Sequence, residues 1–149
     1  MGYFPFFPVY YWPNQAGAVA VPVDITGILE TRVYLVLTSD VTIKNRVHTR
    51  IYPVVMPQDV LLPAVSYQRV SSDPVNILEG FTKLENAHVV INAWARNYDE
   101  AKILSAEIHT AMDAASLFRC ILTNELDGYD PDISLYVVSQ DYSCWNLET

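Results

Sequence analysis

The stretch from Leu84 to Met112 most constrains the fold, because it is typical of one strand that runs directly into one amphipathic helix. Between Ala87 and Trp94, every second residue is apolar and the intervening positions are mixed, which predicts a sheet covered on one side. Asn97 offers an N-cap oxygen, and Glu100 follows three residues later as in a capping box. Spacings of three and four then predict a buried helix face of Ala101, Leu104, Ile108, Ala111 and Met112, with Lys102, Ser105, Glu107 and His109 outside it.

The segment before this unit predicts helices. A first helix is expected from about Ile25 to Thr38, with Asp24 as its N-cap. A second short helical or turn segment should follow and end at Val47. The apolar stripe of the first helix is weak, since β-branched residues interrupt it; its expected members are Ile28, Val33 or Arg32, Leu35 and Val36.

Several segments predict strands. A short extended piece begins at residues 50–53, and a strand runs from Ala64 to Val70. The Ser-Ser-Asp-Pro run at residues 71–74 predicts the end of that strand, so we expect a long antiparallel hairpin whose loop is Ser71 to Glu79. Two later strands, Phe118 to Leu122 and Ser134 to Trp145, should flank an acidic turn at residues 125–132. The sequence therefore predicts an α+β fold: an antiparallel or mixed β-sheet with a long hairpin and two helices packed on one face.

The N-terminus predicts an arm. Residues 1–23 are expected to form an aromatic and proline-rich arm with a hinge, ahead of a single α+β domain at residues 24–149. The prolines between Tyr3 and Pro13 favour an extended path over a helix. Whether this arm packs on its own domain or on a neighbouring subunit stays open. Its candidate interface residues are Tyr3, Phe4, Phe6, Phe7, Tyr10, Tyr11 and Trp12.

Composition excludes several classes of protein. The net charge of −8 and the pI of about 4.6 argue against a protein that binds DNA or RNA electrostatically. No apolar run reaches membrane-spanning length, and the first residues lack the basic start of a secretory signal. Cys120 and Cys144 lack metal-type spacing, so two buried thiols are favoured over a disulfide. We expect a soluble protein without membrane contact, made in the cytosol.

Catalytic and metal motifs are not evident. The three histidines, His48, His88 and His109, are scattered over a loop, a strand and a helix, and no phosphate-binding glycine loop occurs. Asp127, Asp130 and Asp132 could loosely hold a cation, but a solvated acidic turn is the favoured interpretation. The sequence thus predicts no enzyme activity, no cofactor and no metal.

An ordered series of segments resembles a known family. The series includes Arg50-Ile51-Tyr52-Pro53, a turn at Pro57-Gln58, the strand-to-helix stretch from Ala87 to Ala101, and a last strand from Tyr136 to Trp145. In order and spacing it resembles the small tail-completion, or tail-terminator, proteins of tailed bacteriophages. The arm and the segment from Ser71 to Glu79 depart from the family pattern.

The resemblance implies a structural virion protein at the junction of tail and neck. It implies a ring, probably hexameric by analogy with known tail terminators, that caps the head-proximal end of the tail tube and joins it to the capsid neck. Its partners would be other copies of itself, the tail tube protein and a neck or head-completion protein, while DNA passes through an acidic lumen without specific binding. Besides the arm, the candidate interface residues are Asn76, Ile77 and Leu78 of the hairpin and Tyr136, Val138 and Tyr142 of the last strand. Two alternatives stay open: another neck component, such as a head-completion or stopper protein, and a small α+β enzyme or ligand-binding module.

Overall fold

Three helices and five strands make up the part of the chain that the computed structural model describes, residues 27–147, with Phe81 described only in its backbone. In chain order they are α1 (Leu29–Ser39), α2 (Val41–Val47), β1 (Ile51–Pro53), β2 (Ala64–Ile77), β3 (Gly80–Ala95), α3 (Tyr98–Asp113), β4 (Arg119–Asp130) and β5 (Leu135–Leu147).

The strands form one mixed sheet in the order β1-β2-β3-β5-β4. Only the β1–β2 pair is parallel; β2 with β3, β3 with β5 and β4 with β5 are antiparallel. The helices contribute their buried faces to the same core as one face of the sheet. This arrangement confirms the predicted α+β fold and makes β3 the central strand.

The β3–α3 unit matches its prediction. Ala87, Val89, Ile91 and Ala93 are all buried, while the alternate residues of β3 are only half-buried. The side-chain oxygen of Asn97 accepts a hydrogen bond from the backbone N–H of Glu100 at 2.8 Å, which caps α3 as expected. All five predicted core residues of α3 are buried.

One position of α3 was predicted wrongly. Ser105 is not on the solvated face but buried at 1% exposure. Its hydroxyl donates to the backbone carbonyl of Lys102 at 2.8 Å, and its own carbonyl accepts from Gln140 at 2.9 Å. A small residue with both groups satisfied can lie between helix and sheet at little cost.

The first helix differs from its prediction in start and in phase. It begins at Leu29, and its N-cap residue Ile28 makes no side-chain capping bond; Asp24 lies outside the described residues. Val33 is buried, in agreement with one of its two predicted alternatives, whereas Leu35 is exposed. The other buried residues are Leu29, Thr31, Tyr34 and Leu37. The ring of Tyr34 packs 6.3 Å from that of Tyr67 on β2, so an aromatic contact across the core fixes the rotation of the helix.

The segment after α1, predicted to be either helical or a turn, is a helix. Asp40 caps α2, because its carboxylate accepts from the backbone N–H of Ile43 at 3.0 Å. Arg46 of α2 then donates two hydrogen bonds, of 2.9 and 2.7 Å, to the carboxylate of Glu107 on α3. This bidentate pair joins the two helices.

The predicted β2–β3 hairpin is present, but its turn is much shorter than the predicted loop from Ser71 to Glu79. Pairing between β2 and β3 continues through residues 71–76 to Ile77 and Gly80, so only Leu78 and Glu79 remain in the turn. Pro74 does not end the strand because β1 pairs only with residues 65–67, which leaves Pro74 on a stretch of β2 without an outer neighbour among the described residues. Gly80 has a φ of 145°, a backbone conformation that favours glycine.

The acidic segment is likewise a strand and not a turn. Residues 125–130 pair with β5, and the turn comprises residues 131–134. Gly128 permits a close approach at this point: a Cβ there would come within 3.2 Å of a Val137 side-chain carbon. Cys120 and Cys144 are opposite one another on β4 and β5 as free thiols, the first half-buried and the second buried.

No helix within residues 27–147 combines the length and the apolar character that crossing a membrane requires.

Candidate assembly surfaces

The tip of the β2–β3 hairpin brings three predicted interface residues together. Asn76 is exposed, Ile77 is 56% exposed and Leu78 is fully exposed. A single exposed apolar side chain is ordinary, but two adjacent ones at a projecting turn are typical of a contact surface. We call residues 76–79 the hairpin tip.

A charged network holds the base of this hairpin against the helix layer. Arg69 on β2 pairs with Glu30 of α1 at 2.7 Å and with Glu85 of β3 at 3.0 Å. The hydroxyl of Ser72 donates to Glu85 at 2.6 Å, and the side-chain amide of Asn146 donates to the same carboxylate at 3.3 Å. Because Glu85 is buried, these donors compensate its desolvation and fix the direction in which the hairpin leaves the domain.

Two of the three predicted interface residues on β5 do not lie on the surface. Val138 is 1% exposed and Tyr142 is completely buried, because both point to the sheet face that the helices cover. The hydroxyl of Tyr142 donates to the side chain of Gln140 at 2.9 Å, and burial raises the pKa of this phenol far above its usual value. These two residues are therefore core residues, and we remove them from the candidate interface.

The third residue, Tyr136, belongs to a cluster that sequence reasoning missed. Its ring lies 4.9 Å from that of Tyr129 on β4 and 6.2 Å from that of Tyr98 at the start of α3. Tyr98 and Tyr129 are both about half exposed. Exposed tyrosines are enriched at protein interfaces, so this tyrosine cluster is a second candidate surface. Strand register brings Tyr129 opposite Tyr136, a relationship that the misassigned acidic turn concealed.

The carboxylate of Asp127 beside this cluster is already paired within the chain. It accepts from the hydroxyl of Tyr98 at 2.6 Å and from the ammonium of Lys102 at 3.2 Å. These two donors lower the pKa of Asp127. Among residues 27–147, no three His, Cys, Asp or Glu side chains are grouped so that they could hold a metal ion.

A cavity of about 490 Å³ opens at the end of the sheet opposite the hairpin tip. It lies between the segment after β1, the residue that follows β3 and the β4–β5 turn; its lining residues are Met56, Pro57, Gln58, Asp59, Val60, Leu62, Arg96, Ile133 and Leu135. Asp59 and Arg96 are the charged groups of this lining, which contains no histidine, cysteine, serine, lysine or tyrosine. Asp59 is the one group of this lining that could act as a nucleophile or a base. We call this cavity the end cavity.

The sheet face away from the helices is mixed: exposed apolar side chains, Ile121, Leu126 and Trp145, lie on it beside hydrogen-bonded polar groups. The indole N–H of Trp94 donates to the hydroxyl of Ser66 at 3.0 Å, and the hydroxyl of Ser139 donates to the Asn92 side chain at 2.6 Å. These polar groups satisfy one another's hydrogen-bonding capacity.

Comparison with known proteins found one matching family and similar solved structures. The family model described as "Tail completion protein gp17" matches residues 31–146. Among solved structures, a chain of the "Virion of native gene transfer agent (GTA) particle" is similar, with a TM-score of 0.60 and 18% sequence identity; the match covers 84% of this chain and 98% of that chain. No curated protein matches.

The two comparisons agree with the architecture. The matched region of the family model begins inside α1 and ends one residue before the end of β5, so it spans every element of the described domain. At 18% identity, the similarity to the virion chain shows a shared fold. The chain therefore belongs to the tail completion protein gp17 family and is a structural protein of the phage tail.

Proposed function

We propose that this protein is a tail terminator: copies of it form a closed ring, with six subunits, that caps the head-proximal end of the tail tube. The family match over residues 31–146 carries this proposal. Its partners are then further copies of itself, the tail tube protein below and a neck or head-completion protein above. The protein is synthesised in the host cytoplasm and resides at the tail–neck junction of the virion.

The distribution of surfaces supports a ring. A closed ring requires head-to-tail contacts, in which two different patches of each subunit meet. The hairpin tip and the end cavity are such unlike patches, and they lie at opposite ends of the sheet. Most lining residues of the end cavity are apolar, which suits a protein that works through its interfaces.

The charge supports passage of DNA through that ring. Each copy contributes a net charge of −8, and a lumen with excess carboxylates repels phosphate groups, so DNA passes without binding. The same charge makes the copies repel one another in dilute solution. Because salt screens this repulsion, ring assembly should be stronger at high ionic strength.

The N-terminal arm is proposed to contribute further contacts. Residues 1–23, with the aromatic positions Tyr3, Phe4, Phe6, Phe7, Tyr10, Tyr11 and Trp12, lie outside the described residues. Aromatic side chains supply much of the energy of protein interfaces. We therefore assign the arm to contacts between subunits or with another neck protein, and residues 24–149 to the single folded domain.

Imaging of the purified protein tests the ring. Negative-stain micrographs at low and high salt should show closed rings whose abundance rises with salt and with protein concentration. A protein that stays monomeric at every salt concentration, and also on isolated tail tubes, would contradict the proposal.

A further inference from the structure

The hairpin tip and the end cavity are too far apart to meet within one chain. β3 begins at Gly80, beside the tip, and ends at Ala95, one residue before the cavity residue Arg96. At roughly 3.3 Å per residue, a strand of this length spans about 50 Å. Any contact between the two surfaces must therefore join different copies.

The tip carries apolar side chains and a negative charge. Ile77 and Leu78 expose most of their side chains, and Glu79 follows them in the turn. The carboxylate of Glu79 makes no hydrogen bond or ion pair with any described residue. The base of the hairpin, by contrast, is anchored by Arg69 and Glu85, so the tip is presented in a defined direction.

The end cavity has complementary chemistry. Met56, Val60, Leu62 and Ile133 provide its apolar wall. Arg96 also lines the cavity. The guanidinium of Arg96 has no hydrogen-bond or ion-pair partner within residues 27–147. Asp59 also lines the cavity, so Arg96 is the one lining residue whose charge is opposite to that of Glu79. A cavity of about 490 Å³ exceeds the volume of one aliphatic side chain and has room for a two-residue tip.

We propose that the hairpin tip of one copy docks into the end cavity of the next copy. Ile77 and Leu78 fill the apolar part, and the carboxylate of Glu79 pairs with the guanidinium of Arg96. The contact is heterologous, since each copy supplies a tip to one neighbour and a cavity to the other. It removes exposed apolar surface from water and pairs two groups that have no partner among residues 27–147 of their own chain. The inference rests on the proposed ring and identifies the contact that holds it together.

Cross-linking between two different variants tests this contact. Full-length Leu78→Cys and full-length Val60→Cys are prepared separately, mixed under conditions that favour rings, and treated with a short bismaleimide. The mixture should yield a covalent dimer that neither variant alone gives in comparable amount. Wild-type protein measures the background from Cys120 and Cys144. Val41→Cys replaces an exposed residue of α2 and, mixed with Leu78→Cys, serves as the matched control.

Charge reversal supplies a second, independent readout. Glu79→Arg and Arg96→Glu should each raise the protein concentration needed for half-maximal ring formation severalfold. The double variant with both reversals should bring that concentration back toward the wild-type value, because it restores an opposite-charge pair.

The outcomes separate the docking from the ring itself. Wild-type rings without the Leu78–Val60 cross-link, and with silent charge reversals, overturn the docking and leave the ring standing. Cross-linking of Leu78→Cys only to itself, or only to the tail tube protein on isolated tails, also overturns it. Failure of wild-type protein to form rings under any condition overturns both proposals.

Discussion

The Arg69 guanidinium lies 3.0 Å from the Glu85 carboxylate, and this pair joins the hairpin to the core of the domain. Arg69→Ala would leave the Glu85 carboxylate buried with fewer donors, so we expect the free energy of unfolding to fall by about 2–3 kcal/mol. Urea unfolding followed by circular dichroism measures the change. Arg119→Ala removes an exposed arginine of β4 and should alter stability little; equal losses in the two variants would show that the network does not stabilise the domain.

The buried face of α3 gives a second prediction. Ile108→Asp places a carboxylate against the sheet at a fully buried position, with an expected cost of about 3 kcal/mol or more. Ile103→Asp makes the same chemical change on the same helix at a half-exposed position. Thermal unfolding should therefore separate the two variants widely. Similar midpoints would mean that the helix is rotated relative to our description.

Burial of Tyr142 predicts a dependence of stability on alkaline pH. Because burial disfavours the phenolate, the pKa of Tyr142 is higher in the folded than in the unfolded chain. Its contribution to stability is complete below the unfolded pKa of about 10 and is lost progressively as pH rises above that value. Above about pH 10, the unfolding free energy of wild-type protein should fall more steeply with pH than that of Tyr142→Phe.

Ultraviolet titration checks the same group directly. At about pH 11, folded wild-type protein should show less tyrosinate absorbance than the urea-unfolded chain. The deficit should shrink by one tyrosine equivalent in Tyr142→Phe. A wild-type protein that ionises all its tyrosines while still folded would be inconsistent with the buried position of this phenol.

Deletion of residues 1–23 should impair assembly and leave the domain folded. The prediction follows from the proposed role of the aromatic arm in contacts with other subunits. Circular dichroism of the shortened protein should resemble that of the full chain, whereas the concentration needed for ring formation should rise. Loss of the folded signal would instead make the arm part of the core of its own domain.

The strongest sequence patterns predicted the central elements. For β3 and α3, the alternation of apolar residues, the helical periodicity and the Asn97 cap all predicted a strand followed by a helix, and this is what the structure contains. Where local signals conflicted, prediction failed. The weak apolar stripe of α1 did not determine which side of the helix is buried, because that depends on the contact of Tyr34 with Tyr67 on a distant strand.

Turn signals were overridden by pairing between strands. Pro74 and Gly128 both suggested turns, yet each lies within a strand whose register is set by its partner strand.

Tyr142 was wrongly assigned to the surface because alternation in β5 separates two faces of the strand but does not tell which face the helices cover. Ile77 and Leu78 could be proposed as interface residues from the sequence, because they are adjacent in the chain. The end cavity could not, because Met56, Arg96 and Ile133 meet only in the folded sheet.

The proposed terminator role is tested most directly by removing the gene from its phage and measuring tail length in micrographs of the lysate. Our account predicts tails of irregular, overgrown length together with unattached, DNA-filled heads, because nothing stops polymerisation of the tube or presents a docking face to the neck. Tails of normal length beside heads that leak DNA would contradict this account and assign the protein to the head side of the neck.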